Sequence, residues 1–387
     1  MTPPRAAYVH VPFCRHRCGY CDFSVLAGRD DLADAYFRAL ETELARPGAP
    51  LELDTLYVGG GTPTHLGAAG LGRLREAFAG RLLPAAGAEV SIEANPADVR
   101  PDLVAAARAA GVTRVSLGAQ SLSARTLAAL DRDHAPDDVR RAVELLGEGG
   151  FDVGLDIMIA APGQTLAEAE ADLDAALALR PGHVSVYCLT WEKGTRFIGL
   201  LARGVLERAT ESVERAMIEA AIDRLEGAGY EQYEVSNFAL PGKRCRHNEV
   251  YWDCRTWEAF GPGAARFLGR TRTTNHRSPF TWMKRLREGV DPAAEHERMS
   301  EAEAARERIV LGLRRRDGIV REAFRAAGGI EFDDLAADAV RGWVAEGLAV
   351  DDGRRVRLTR AGMLVSDGLW PAILRGGAAA ASGTEPA

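Results

Sequence analysis

Three cysteines, Cys14, Cys18 and Cys21, stand in C-x3-C-x2-C spacing within one short stretch of the 387-residue chain. Clustered thiolates of this kind are metal ligands by type. Three of them can hold three corners of a [4Fe–4S] cube and leave the fourth iron without a nearby protein ligand. Structural clusters and zinc sites normally close their shells with four ligands. An open iron therefore suits a cluster that binds and reduces a small molecule directly. On spacing alone, the alternatives are a zinc site completed by His10 or His16, or three unrelated thiols.

A second set of polar residues recurs at one position in a repeating pattern. Gly59-Gly60-Gly61-Thr62-Pro63 follows one β-rich run, Glu93 and Asn95 close another, and Gln120 follows a third. Asp156 lies inside a further run, ahead of Pro162-Gly163. The glycines allow a ligand to approach the backbone closely. A carboxylate and an amide are suited to a vicinal diol.

The elements that must position these groups are legible from periodicity. Short runs rich in Val, Ile and Leu fall at Ala7–Val11, Thr55–Gly59, Glu89–Glu93, Arg114–Gly118, Val153–Ile159 and His183–Leu189. Helix-like stretches with three- and four-residue apolar spacing lie between them: 32–45, 71–79, 137–146 and 167–179. Alternation of this kind predicts a parallel sheet covered by helices. Six units are too few for an eight-stranded barrel, so the fold class is α/β, an open or partial (β/α)6 barrel, with a doubly wound sheet as the alternative. The site residues then gather at the C-terminal strand ends, where parallel α/β folds build their sites.

Domain boundaries follow from changes in pattern. The barrel occupies 1–205. A linking helix (206–227) and an aromatic, glycine-rich region without simple period fill 206–298. A smaller, mostly helical C-terminal domain covers 299–372, with helices at 301–314, 320–327 and 332–346. It is closed by a hairpin whose turn is Asp352-Gly353. The small-residue tail 376–387 is expected to be disordered.

Bulk composition narrows the function. Apolar residues make up 47% and charged residues 27%, which supplies ample core. A formal net charge of −7 argues against nucleic acid as the main partner. Six cysteines, half of them in one loop, argue for metal chemistry in a reducing cytoplasm rather than a secreted disulfide framework. No run of ~18 apolar residues suggests a membrane span, and membrane association is not evident.

In order along the chain, YVHVPFCRHRCGYCDF, YVGGGTPT, SIEANP, RVSLGAQS, LDRDH, LDIMIAAPGQT, YEQYEVSNFA and HNEVYW resemble the motifs of the radical S-adenosylmethionine (SAM) superfamily. Within it the chain is similar to the group of oxygen-independent coproporphyrinogen III oxidases, and most of all to the HemW-type haem chaperone branch. The resemblance implies that Cys14, Cys18 and Cys21 hold the cluster while SAM chelates its open iron. It implies that Tyr8 and Tyr20 flank the cluster and sulfonium. Gly60, Gly61 and Thr62 would receive the methionyl amino group, Arg132 its carboxylate, Glu93 and Gln120 the ribose, and Asp156 the remainder of the nucleoside. It further implies a haem site around His247, Asn248, Tyr251 and Trp252.

Phe23 stands where the oxidases of this group carry a further cysteine, and their N-terminal extension before the cluster loop is longer. Both features argue against oxidative decarboxylation, and no catalytic residue is assigned. The implied partners are haem, a haem-acceptor protein and an electron donor for the cluster. The rival expectations are a coproporphyrinogen oxidase or another radical SAM transferase.

Overall fold

A computed structural model describes residues 3–374. The tail expected to be disordered lies outside them. The chain divides into two compact units: residues 1–232, 236–247 and 256–297 in one, and 233–235, 248–255 and 298–387 in the other.

The larger unit is built on one nine-stranded sheet. Its strands are β1 (Ala6–Val11), β2 (Leu51–Gly60), β3 (Leu82–Ala94), β4 (Arg114–Gln120), β5 (Asp152–Ile159), β6 (His183–Cys188), β7 (Glu231–Gln232), β8 (Asn237–Ala239) and β9 (Glu258–Phe260). Their order is β9-β1-β2-β3-β4-β5-β6-β8-β7. β1 to β6 run parallel in sequence order, as the alternating pattern predicts. Parallel neighbours require helical crossovers, and helices Ala33–Leu44, Gly67–Phe78, Pro101–Ala109, Pro136–Glu148 and Leu166–Ala178 supply them. Their starts are encoded locally. Pro101 and Pro136 occupy first-turn positions, and Thr165 and Glu168 form a reciprocal capping box. The sheet stays open, because β9 and β7 form its two edges.

Residues 206–298 enter the sheet at both edges, which periodicity did not reveal. β9 pairs parallel with β1, and β8 pairs antiparallel with β6. These strands are two or three residues long, too short to carry a hydrophobic period. Glu43, on helix Ala33–Leu44, also ties this region to the barrel. Its buried carboxylate accepts from Gly261 N (2.7 Å), Asn275 Nδ2 (2.7 Å) and Trp282 Nε1 (3.2 Å).

The smaller unit packs helices Glu301–Leu313, Arg321–Gly328 and Phe332–Ala345 against a three-stranded antiparallel sheet. Ala349–Asp351 and Arg355–Leu358 form the expected hairpin, and Ile319–Val320 adds a third strand. Gly353 turns the hairpin at φ 82°. Ile309, Leu313, Phe332, Val340, Trp343, Val356 and Ile373 form its core. The basic run inside it is neutralised: Arg314 pairs with Asp367, and Arg315 with Asp253.

Candidate functional site

β1 delivers the chain to Pro12, and the cysteine loop begins at once. Phe13–Cys14 pairs in parallel with Leu26–Ala27, so the loop is closed at its base. Leu26 N donates to Pro12 O, and Gly28 N to Cys14 O. Within the loop, Cys21 N donates to Cys18 O, a tight turn carrying the last two thiols. Cys14 is buried, while Cys18 and Cys21 are partly exposed. Burial pushes the Cys14 thiol up to about 12 and raises that of Cys21, so metal must displace protons on binding.

The Gly59–Pro63 turn lies directly beneath this loop. Gly61 N donates to Val11 O (2.9 Å), Thr62 N to Phe13 O (2.7 Å), and Thr62 Oγ1 stands 3.5 Å from Cys14 Sγ. The approach excludes side chains. A Cβ on Gly61 would sit 2.7 Å from Phe13 O and 3.0 Å from Cys14 Sγ. Gly60, at φ 112°, would drive a Cβ to 2.5 Å from the His10 ring.

The remaining polar residues occupy the same end of the sheet. Glu93 accepts from Gly60 N (2.8 Å) and Tyr57 Oη (3.1 Å). Burial nevertheless lifts its carboxyl to about 7. Asp156 accepts from Ser116 Oγ (3.1 Å), and burial lifts it to about 6. Gln120 closes β4 at φ 61°, and Asp131 and Ala160 adopt φ 57° and 59°. Left-handed backbone is costly for residues other than glycine and concentrates at functional sites.

Arg132 reaches the cysteine loop from the LDRDH segment. Its Nη1 donates to Cys18 Sγ (3.3 Å) and its Nη2 to Gly118 O (3.0 Å), while buried Nε has no hydrogen-bond partner. The acids on either side bolt the loop down. Asp131 pairs with His16 (3.1 Å) and Arg196 (2.6 Å). Asp133 accepts from Asn95 Nδ2 (3.0 Å). Arg15 pairs with Asp98 (3.0 Å), which also accepts from Thr64 Oγ1 (3.2 Å). Tyr20 packs edge-on against Phe197 at 6.1 Å, and Tyr8 stacks on Tyr57 at 6.2 Å.

The structure therefore pairs Cys14 with Thr62, Gly60 with Glu93 and Cys18 with Arg132 at the cysteine-loop end of the sheet. His10 is removed as a metal ligand. Its Nε2 lies 2.8 Å from Ser24 O and its Nδ1 3.1 Å from Tyr8 Oη, and burial lowers it to about 4. Among the described residues, no three His, Cys, Asp or Glu side chains are placed to hold a single metal ion. A cube takes its thiolates at separate corners and needs no such convergence.

HNEVYW forms a short helix, Arg246–Trp252. Asn248, Tyr251 and Trp252 are partly exposed and share one face by helical spacing. His247 is different: it is 1% exposed, its Nδ1 lies 2.9 Å from Thr55 Oγ1, and its ring stacks on Tyr57 at 5.3 Å. The structure holds this imidazole as a packed side chain rather than displaying it as an axial ligand. The cause is a buried ion pair that the sequence reading missed. Glu89 accepts from the backbone N–H groups of Arg246 and His247 (3.1 Å each) and from Arg114 Nε (3.1 Å). Arg114 Nη2 holds the carbonyls of Lys243 (2.9 Å) and Arg244 (3.2 Å). Two charges of opposite sign inside β-rich runs were the available signal, as was the LDRDH pair of acids. Tyr57 could have been found as the residue two before Gly59, on the same strand face.

The radical SAM superfamily model matches residues 8–176, and the model described as the HemN C-terminal domain matches 299–365. The chain is 38% identical to the haem chaperone HemW of Mycobacterium tuberculosis, over 96% of this chain and 95% of that one. It is 34% identical to the haem chaperone HemW of Bacillus subtilis, over 96% and 99% respectively. Among solved structures, the radical SAM enzyme coproporphyrinogen III oxidase from Escherichia coli superposes with a TM-score of 0.85. That match covers 96% of this chain and 90% of the other, at 20% identity, and reflects a shared fold.

Proposed function

The chain belongs to the HemW family of the radical SAM superfamily, and we propose that it is a haem chaperone that carries a [4Fe–4S] cluster, binds SAM and haem, and passes haem to an acceptor protein. The observation that carries this reading is the 34–38% identity to haem chaperones over 96% of this chain. Phe23, 58% exposed beside the cluster loop, supports it against the oxidase alternative.

Cys14, Cys18 and Cys21 would hold the cluster, which would supply one-electron reduction of a bound sulfonium. The protein's own residues bind and orient. The unpartnered Nε of Arg132 fits a carboxylate placed beside Cys18, where a guanidinium can also hold the thiolate. Gly60 and Gly61 let the turn pack closely beneath the cysteine loop, and the methionyl end would lie against that turn. Glu93, Gln120 and Asp156 take the ribose and nucleoside, with Tyr8 and Tyr20 screening water from the cluster. Asn248, Tyr251 and Trp252 offer haem one flat, partly apolar helix face. His247 ligates iron only after leaving its packed position.

Such a cluster would need an electron donor, and an acceptor protein would take the haem. No helix among the described residues is long and apolar enough to cross a membrane. The cytoplasm is the compartment that suits a partly exposed cysteine loop and cysteines that form no disulfide among the described residues. The test is haem titration of the anaerobically reconstituted protein, run beside an assay for conversion of coproporphyrinogen III. Haem binding without conversion is expected. Conversion with SAM and reductant, in a protein that binds no haem, would establish the oxidase instead.

A further inference from the structure

We infer that Tyr57 is a positioning residue linking the cosubstrate pocket to the HNEVYW helix, so that SAM and haem binding oppose each other. The inference rests on the haem-chaperone reading and deepens it.

The His247 contact lies midway along β2 and the glycine turn at its C-terminal end. Thr55, beside His247, and Gly60, beneath the cysteine loop, are five residues apart, about 17 Å along an extended strand. Tyr57 lies between them and touches both. One face of its ring carries the His247 imidazole at 5.3 Å and 29°. Its hydroxyl donates to Glu93 Oε1, and Glu93 Oε2 in turn takes the Gly60 amide. A continuous path of one ring contact and two hydrogen bonds therefore runs from His247 through Tyr57 and Glu93 to the glycine turn under Cys14.

His247 supplies the two-state element. Packed, it is closed in by Thr55 and Tyr57 and has almost no exposed surface. A porphyrin is too broad to reach an imidazole so enclosed, so iron ligation requires His247 to leave the stack. Ribose hydroxyls donating to Glu93 favour its ionised form, which strengthens the bond from the Tyr57 hydroxyl. A more firmly held Tyr57 keeps His247 packed. SAM thus favours the packed state and haem the released one. Ligands that prefer different states of one element weaken each other's binding by the same factor.

The test uses the full-length, anaerobically reconstituted protein. Haem affinity is measured by absorbance titration with and without saturating SAM, and SAM affinity by equilibrium dialysis with and without haem. SAM should weaken haem binding about tenfold, and haem should weaken SAM binding by the same factor. Tyr57→Phe keeps the ring and removes the hydroxyl, so the factor should fall to about one while each ligand still binds alone. Thr55→Val, which frees His247 Nδ1, should tighten haem binding. Hydrogen exchange at residues 246–250 gives a readout that needs no haem: SAM should slow it in the wild type and not in Tyr57→Phe. An unchanged or strengthened haem affinity on adding SAM, or full opposition retained in Tyr57→Phe, would overturn the inference. If the wild type binds no haem, the chaperone reading itself falls, and the exchange measurement still decides the role of Tyr57.

Discussion

Replacing Arg114 by methionine probes how the HNEVYW helix is anchored. The Arg114 and Glu89 side chains are only 7% and 8% exposed, so each charge depends on the other. The substitution removes Nε from Glu89 and Nη2 from the carbonyls of Lys243 and Arg244. Breaking a buried pair by removing one partner costs about 3–5 kcal/mol, most of it for the stranded charge. Glu89 retains the amides of Arg246 and His247 and the Cys245 thiol, which places the cost near the lower end, about 3 kcal/mol. For a unit of this size that is a fall of ~5 °C in melting temperature. Arg114→Met combined with Glu89→Leu strands no charge and gives up chiefly the cap of one short helix, about 1 kcal/mol. The double variant should therefore be more stable than the single one. Urea and thermal unfolding, with hydrogen exchange at 246–250, provide the assay. A loss below about 1 kcal/mol for Arg114→Met, or a double variant less stable than the single, would refute the anchoring argument.

Three further outcomes follow from the same geometry. Cys21→Ser should abolish stable cluster incorporation, and full iron and sulfide contents in that variant would remove the cysteine from the site. Arg132→Ala should leave the cluster in place and weaken SAM binding at least about tenfold, the equivalent of one charge-assisted bond of ~1.5–3 kcal/mol. Unchanged affinity in equilibrium dialysis would show the contact to be misplaced. Burial raises Glu43 from its ordinary 4.5 to about 7, so between those values the folded state holds a proton that the unfolded state has lost. That group therefore stabilises the fold increasingly as pH falls from 7 toward 4.5, opposing His134 and His183, which burial lowers to about 4 and 3. Glu43→Gln removes the opposition. Between pH 7 and 5 it should lose stability more steeply than the wild type, by about 1.4 kcal/mol per pH unit. Parallel pH profiles from urea unfolding would count against the Glu43 assignment.

The parts of this molecule that repeat were readable from sequence, and the parts that cross it were not. β1 to β6 carry near-continuous apolar runs, and the cysteine loop, Gly59–Pro63, Glu93 and Gln120 stand at the C-terminal ends of the first four, with Asp156 inside β5. Periodicity therefore placed the strands, and with them the end of the sheet where most of the candidate residues lie. The Ala349–Asp351 and Arg355–Leu358 hairpin carried its own turn chemistry in Asp352-Gly353. β9 and β8 have three residues each and take their conformation from the edges they join, so no local pattern marks them. His247 illustrates the limit most clearly. Its type and aromatic neighbours fit a haem ligand, but its environment is fixed by Thr55, Tyr57 and Glu89, between 158 and 192 residues away in the chain. Contacts at that separation are set by topology.

The central claim is that this radical SAM fold handles haem rather than oxidising a porphyrinogen. It is tested most directly by titrating haem into the anaerobically reconstituted protein and then adding a haem-free acceptor. The account predicts stoichiometric haem binding, transfer to the acceptor, and no conversion of coproporphyrinogen III by the same preparation with SAM and reductant. A preparation with an intact cluster that binds no haem and converts coproporphyrinogen III would contradict it.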